Sequence, residues 1–124
     1  MHLALLALAA TAAPAALAQG DAARGEAIAL HRSQGLCVLC HAMPGQNPAL
    51  QGTIGPPLAG VGSRLDAATL RQRLVAPEQF NPETVMPAYG RSTGLQQVAA
   101  AQRGKPLLTD AQIDDVVAWL ATLR

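Results

Sequence analysis

The sequence is poor in aromatic residues. They make up 2% of its 124 residues and consist of Phe80, Tyr89 and Trp119. A domain of about a hundred residues buries roughly two-thirds of the surface of its unfolded chain. Aromatic side chains usually supply much of that core. A domain with so few of them needs another source of apolar bulk, such as a large bound ligand.

Neither positive nor negative side chains are in large excess. Nine Lys and Arg residues stand against eight Asp and Glu, for a formal net charge of +1. No basic run occurs, which excludes the usual electrostatic pattern of a nucleic-acid binder. With Lys105 as the single lysine, no lysine-rich ring can steer a partner from a distance. Docking to another protein would therefore depend on shape and apolar contact.

Long apolar runs are confined to the beginning of the chain. Residues 3–17 are almost wholly apolar and end in the small-x-small pattern Ala16-Leu17-Ala18. An apolar run followed by this pattern is typical of a secretory signal peptide, although no Lys or Arg precedes it. The run is too short for a membrane span. We predict that residues 1–18 are a signal peptide and that residues 19–124 form one domain without a membrane-spanning helix. The alternative is a buried first helix.

Cysteine is also scarce, and the two that occur form a motif. Cys37 and Cys40 are followed directly by His41, which gives the C-x-x-C-H attachment pattern of a c-type haem. Each thiol can form a thioether to one haem vinyl group, and the imidazole can bind the iron from one side. A zinc site would need about four ligands, and a thioredoxin-like pair would need a βαβ context; neither is visible. We predict one covalently bound haem c.

The predicted signal peptide and the predicted haem attachment agree with each other. In bacteria thioethers to haem are formed outside the cytoplasm, so we expect a periplasmic protein. The haem would also supply the flat apolar bulk that the aromatic residues do not. We therefore expect the mature chain without haem to be largely unfolded.

Helical patterns alternate with loops rich in Gly and Pro. Asp21 can cap a helix that reaches about Ser33, and Gly25 within it favours the close crossing of a second helix. Gly35 would end this helix just before the C-x-x-C-H motif. Residues 42–66 contain nine Gly and Pro residues, which predict a long loop without helix or strand.

The second half of the chain is predicted to contain up to three helices. Asp66 can cap a helix over 67–75, and a short helix over 94–102 is weakly signalled. Thr109 and Gln112 form a capping box for a last helix that runs to the end of the chain. Its apolar stripe consists of Ile113, Val116, Val117 and Leu120, flanked by Trp119. Since no strand pattern competes, we predict an all-α domain of three to five short helices joined by long loops around the haem.

Met86 is the best candidate for the second iron ligand. It lies in a loop bounded by Pro82 and Pro87, and Pro87 favours an extended backbone at Met86. A thioether opposite a histidine raises the haem potential and suits electron transfer. The other candidates are His31, which we expect to face solvent, and Met43, which we expect to pack in the core.

Three further residues are candidates for supporting the haem. A ligating histidine almost always donates its second ring N–H to an acceptor, and the carbonyl of Pro56 is the best placed acceptor in the loop. Arg64 and Arg91 are candidates for binding the haem propionates, with a solvated surface position as the alternative for each.

The order of these features resembles a class I cytochrome c. Three stretches narrow the resemblance to the SoxX family, the monohaem subunits of SoxAX cytochromes: IGPPLAGVGSR over 54–64, NPETVMPAYGR over 81–91, and GKPLLT with QIDDVVAWL over 104–120. The resemblance implies that His41 and Met86 bind the iron. It also implies a heterodimer with a SoxA-like cytochrome that conjugates thiosulfate oxidatively to a cysteine of the carrier SoxYZ, an L-cysteine S-thiosulfotransferase.

In that family the catalytic haem, with its cysteine-derived ligand, belongs to SoxA. The resemblance therefore implies that this chain has no catalytic residue and passes electrons onward to a further acceptor. Two alternatives stay open at this point. One is a free-standing periplasmic cytochrome c shuttle, and the other is a haem module with an open iron that binds a ligand.

Overall fold

The first helix, α1 (Ala22–Leu30), begins at Asp21, whose carboxylate accepts the backbone N–H of Arg24 at 2.8 Å. This computed structural model describes residues 20–124. The predicted signal peptide, residues 1–18, lies outside the described residues. The cap at Asp21 confirms the predicted start of the helix.

Three more α-helices follow within residues 20–124. They are α2 (Val61–Arg64), α3 (Ala67–Val75) and α4 (Asp110–Thr122), and no strand occurs in this part of the chain. Single 3₁₀ turns lie at Cys37–Leu39, Pro48–Leu50, Pro77–Gln79 and Ala100–Gln102. The described fold is therefore all-α with long connections, as the sequence predicts.

Asp66 caps α3 by accepting the N–H of Thr69 at 2.8 Å, and both bounds of this helix match the prediction. The predicted capping box of α4 is also present. Thr109 Oγ1 accepts the N–H of Gln112 at 3.3 Å, and the Gln112 side chain accepts the N–H of Thr109 at 2.9 Å.

Four predicted details are wrong. The helix expected over 94–102 is reduced to the 3₁₀ turn Ala100–Gln102, because Gly94 and Gln97 both have positive φ, +70° and +55°. The loop predicted over 42–66 contains a 3₁₀ turn and α2. Helix α1 ends at Leu30 rather than about Ser33, and the N–H of Gly35 folds back onto the carbonyl of Ile28 at 3.0 Å. Helix α4 ends at Thr122, two residues before the end of the chain.

The core lies where α1 crosses α4. At Gly25 a Cβ would overlap the backbone of Asp115 and Val116, so only glycine allows the two helices to approach this closely. This confirms the predicted crossing. The stripe of α4 is buried together with Trp119, and Leu70 and Leu74 of α3 pack on the same core.

One acidic side chain is buried in this crossing. Asp115 is 6% exposed, and its carboxylate accepts the backbone N–H of Asp21 at 2.6 Å and two N–H groups of Arg24 at 2.8 and 2.9 Å. The hydrogen bonds from Arg24 hold the pKa of Asp115 below its usual value. The beginning of α1 is therefore fixed to α4 by a charge as well as by packing.

We predict that Asp115→Asn destabilises the haem-loaded protein by about 1–3 kcal/mol, the cost typical of hydrogen bonds to a charged group. A carboxylate whose pKa is lower in the folded state stabilises the fold above the unfolded pKa of about 3.9, and this contribution is lost as the pH falls below that value. The variant should therefore lose less stability between pH 5 and pH 3 than the unmodified protein, in urea unfolding followed by circular dichroism.

The control for this variant is Asp110→Asn on the same helix. The Asp110 side chain is 86% exposed and pairs with Arg71 at the surface, so its loss should cost less than about 1 kcal/mol. Equal costs for the two variants would contradict the role of the buried carboxylate.

The helices from Gly20 onward are too short or too polar to cross a lipid bilayer.

Candidate haem-binding site

The C-x-x-C-H motif forms a tight turn that groups its three functional side chains. Its 3₁₀ turn, Cys37–Leu39, follows Leu36 in a left-handed conformation with φ +57°. The carbonyl of Cys37 accepts the N–H of Cys40 at 3.1 Å and that of His41 at 2.9 Å. Both thiols are free and partly buried.

The chemistry of Cys37 is that of a protonated thiol. Burial raises the pKa of Cys37 to about 11. Reactive and redox cysteines instead need a lowered pKa, because the thiolate is the nucleophile. The environment of Cys37 therefore does not favour a thioredoxin-like redox pair.

The imidazole of His41 is oriented by the loop that follows. Its Nδ1 lies 2.6 Å from the carbonyl oxygen of Pro56. A carbonyl only accepts hydrogen bonds, so Nδ1 carries a proton, and in the neutral imidazole Nε2 keeps its lone pair. This is the tautomer that a metal-binding histidine needs. The structure thus brings together the histidine and the carbonyl that the sequence analysis paired.

The loop carrying Pro56 lies directly against the motif. Gly52 donates its N–H to Val38 at 2.9 Å, Gly55 donates to Cys40 at 2.7 Å, and Leu58 donates to Ala42 at 2.9 Å. A Cβ at Gly55 would overlap the His41 ring, and one at Gly52 would overlap the backbone of Leu39. The two glycines allow this close approach, a function that their positions in the sequence did not reveal.

The two candidate arginines already have partners within the chain. Arg64 donates to the carbonyl of Ala59 at 2.7 Å and to that of Pro57 at 3.2 Å, which ties α2 to the loop beside His41. Arg91 forms an ion pair with Glu78. A guanidinium has five N–H donors, so these contacts leave donors for a second acceptor.

Met86 lies in a separate loop and is partly buried against the core. Its N–H donates to Thr84 Oγ1 at 3.1 Å, and the preceding Val85 is 75% exposed. The loop is joined to the segment before the motif by Tyr89, whose hydroxyl donates to the carbonyl of Gly35 at 2.6 Å. Sequence reasoning assigned no role to Tyr89, although it is the only tyrosine and follows Met86 by three positions.

The two other candidate ligands are placed as expected. His31 is exposed, and its Nδ1 accepts the N–H of Ser33 at 3.2 Å. Met43 is buried in the core at 5% exposure.

These residues fit a haem. In residues 20–124, no group of three or more His, Cys, Asp or Glu side chains could hold a metal ion by itself. A ligand set with one histidine and one methionine suits an iron whose equatorial ligands come from a porphyrin. The Nε2 of His41, which the hydrogen bond at Nδ1 leaves available, and the two free thiols supply the remaining requirements.

Comparison with known proteins agrees with this chemistry. Residues 22–124 match the cytochrome c family. The structure is similar to a chain in the crystal structure of SoxXA from P. pantotrophus, with 35% sequence identity and a TM-score of 0.75, over 92% of this chain and 89% of that chain. A search of curated proteins found no match.

Proposed function

The chain belongs to the cytochrome c family as a SoxX-like cytochrome, and we propose that it is the monohaem electron-transfer subunit of a SoxAX-type complex. One haem c would be held by thioethers to Cys37 and Cys40, with His41 and Met86 as the two axial ligands. Bound haem c supplies a one-electron redox centre. In this proposal His41 and Met86 would orient that centre and close its iron to external ligands.

The observation that carries this proposal is the hydrogen bond from His41 to Pro56. It fixes the tautomer and the plane of the ring, and it raises the basicity of Nε2. A methionine as second ligand would raise the potential and leave no open coordination position. Both effects favour electron transfer over the binding of external ligands.

Arg64 supports the same loop. By binding the carbonyls of Pro57 and Ala59, it stabilises the conformation that presents Pro56 to His41. We propose that Arg64 and Arg91 also donate to the haem propionates. Each would use donors that its partners in the chain leave free.

In this proposal the catalytic chemistry belongs to the partner. Attachment of the haem would consume the only two cysteines of this chain, so no cysteine remains to ligate a catalytic iron. The SoxA-like partner would conjugate thiosulfate to a cysteine of SoxYZ, and this chain would pass the electrons to a further acceptor. We propose that this takes place in the periplasm.

The segment that carries the motif suits a partner that docks through apolar contact. No Asp, Glu, Lys or Arg occurs between Arg32 and Arg64. Three large apolar side chains in this segment are exposed, Leu39 at 49%, Leu50 at 61% and Ile54 at 72%. We call these three residues, which lie in the segment 33–63 without charged side chains, the uncharged face. A haem would cover part of it, and the SoxA-like partner would cover the rest.

We expect the haem-loaded protein to co-purify with its SoxA-like partner from cells grown on thiosulfate. Because exposed charges dominate salt effects, the affinity should change by less than about threefold between low and high salt. Leu50→Asp, which places a charge in the uncharged face, should weaken binding by about tenfold or more. Calorimetric titration at two salt concentrations would measure both effects.

The matched control is Lys105→Glu, a charge change outside the segment 33–63, which should leave the affinity unchanged. Haem content is measured for each variant, so that loss of haem is not mistaken for loss of docking. If the protein stays monomeric and does not bind the SoxA-like protein at either salt concentration, the proposal is contradicted. That result would favour a free-standing periplasmic electron shuttle.

A further inference from the structure

Tyr89 is fixed to the domain from three directions. Its N–H donates to the carbonyl of Leu74 at 2.9 Å, and its own carbonyl accepts the N–H of Leu108 at 3.0 Å. Its hydroxyl donates to the carbonyl of Gly35 at 2.6 Å, and the residue is 4% exposed. A residue bound through its backbone and its side chain in this way holds its loop in one position.

The acceptor of the hydroxyl is part of the segment that leads into the motif. Gly35 is buried and stands two residues before Cys37, whose thiol points at the same carbonyl oxygen from 3.6 Å. When a thioether forms, the sulfur bonds to a vinyl carbon and the thiol hydrogen passes to the adjoining carbon. The sulfur then has no hydrogen to donate, and Tyr89 remains as the side-chain donor to this buried oxygen.

The other contacts of the methionine loop, residues 81–91, are local or lead elsewhere. Met86 donates to Thr84, and the N–H of Thr84 donates to the carbonyl of Asn81 at 3.0 Å. Arg91 pairs with Glu78, which belongs to the 3₁₀ turn after α3. Among these contacts, the hydroxyl of Tyr89 is the one that reaches the segment next to Cys37.

We propose that Tyr89 is a positioning residue for Met86: its hydroxyl fixes the loop of one axial ligand to the segment that carries the other. The inference rests on the proposed ligation of the iron by His41 and Met86. Loss of the hydroxyl leaves the Gly35 carbonyl without a side-chain donor inside the domain, which favours conformations in which the loop moves away. Burial also raises the pKa of Tyr89, so the hydroxyl stays protonated and can donate at neutral pH.

The test compares Tyr89→Phe with the unmodified protein, both with covalently attached haem. Imidazole is titrated into the oxidised proteins, and the weak methionine-to-iron band at the red end of the visible spectrum is followed. We expect Tyr89→Phe to bind imidazole about tenfold more tightly, the change that one buried hydrogen bond supports. The reduction potential should fall in the same variant.

The matched control is Asp21→Ala, which removes the cap of α1 and touches neither loop. It should lower the stability to unfolding and leave the affinity for imidazole unchanged. If Tyr89→Phe binds imidazole as the unmodified protein does, or if both variants gain affinity equally, the positioning role is wrong. If the unmodified protein lacks the methionine-to-iron band, the proposed ligation by Met86 is itself wrong.

A second measurement applies even where Tyr89→Phe does not mature. Because Tyr89 is the only tyrosine, fluorotyrosine labels this position alone and gives one fluorine resonance. Displacement of Met86 by imidazole should shift that resonance in the otherwise unmodified protein. A resonance that stays in place while the methionine-to-iron band disappears would overturn the inference.

Discussion

Replacing both cysteines, in the variant Cys37→Ser/Cys40→Ser, is expected to remove all covalent haem and to leave a largely unfolded chain. The buried core from Gly20 onward contains two aromatic side chains, Tyr89 and Trp119, while Phe80 is 40% exposed. A ligand that binds only the folded state stabilises it, and domains of this size have a total stability of about 5–15 kcal/mol. Loss of the haem should therefore remove most of that stability.

Far-ultraviolet circular dichroism would show the outcome as low helicity and a broad melting curve. The matched control is Met43→Leu, which changes a buried residue near the motif at nearly constant volume and should cost less than about 1.5 kcal/mol. Native-like helicity with a sharp melting transition in the double serine variant would show that the chain folds without haem.

Met86→Ala is expected to have the largest effect on the redox chemistry while leaving the chain folded. The methionine-to-iron band of the oxidised protein should disappear, because alanine has no donor atom. The reduction potential should fall by on the order of 0.1 V or more, within the span of roughly 0.8 V that axial ligands control. Visible spectroscopy and a redox titration measure these two effects.

The second methionine supplies the control for this prediction. Met43→Ala truncates a buried side chain and should cost about 2–5 kcal/mol of stability, with the absorption band retained. Met86 is only partly buried, so its replacement should cost less stability and abolish the band. Retention of the band in Met86→Ala would exclude Met86 as the ligand.

The elements that the sequence predicts best are those with local signals. Asp66 and Thr109 each accept an N–H within the first turn of the helix they cap, so the starts of α3 and α4 follow from a few neighbouring residues. The glycine at position 25 also predicted a helix crossing, because it is costly inside a helix unless a second backbone comes close.

The features that the sequence did not predict depend on distant partners. Helix α2 is four residues long, and its Gly62 donates to the carbonyl of Leu123 at 2.9 Å, so contact with the end of α4 supports it. Residues 94–102 lack such support. The exposed Leu95 has no core to pack against, and a short isolated helix is marginal in water.

The candidate site also contains both kinds of feature, those with local signals and those that depend on distant partners. Spacing alone identified Cys37, Cys40 and His41 as a group, and the choice of Pro56 rested on its position in a rigid loop near them. The links made by Tyr89 and Asp115 join residues 54 and 94 positions apart. Neither periodicity nor a local motif in the sequence reveals such pairs, because they form only when the chain folds.

The hydrogen bond between Asp21 and Asp115 also has a consequence for the order in which the chain folds. Closing a loop of 94 residues costs about 4 kcal/mol of chain entropy, and contacts between such distant residues form slowly. Helix α1 can therefore pair with α4 only after the whole intervening chain, including the C-x-x-C-H segment, has been made. We expect the C-x-x-C-H segment to stay accessible until that pairing closes the domain, so the topology favours attachment of a haem before closure.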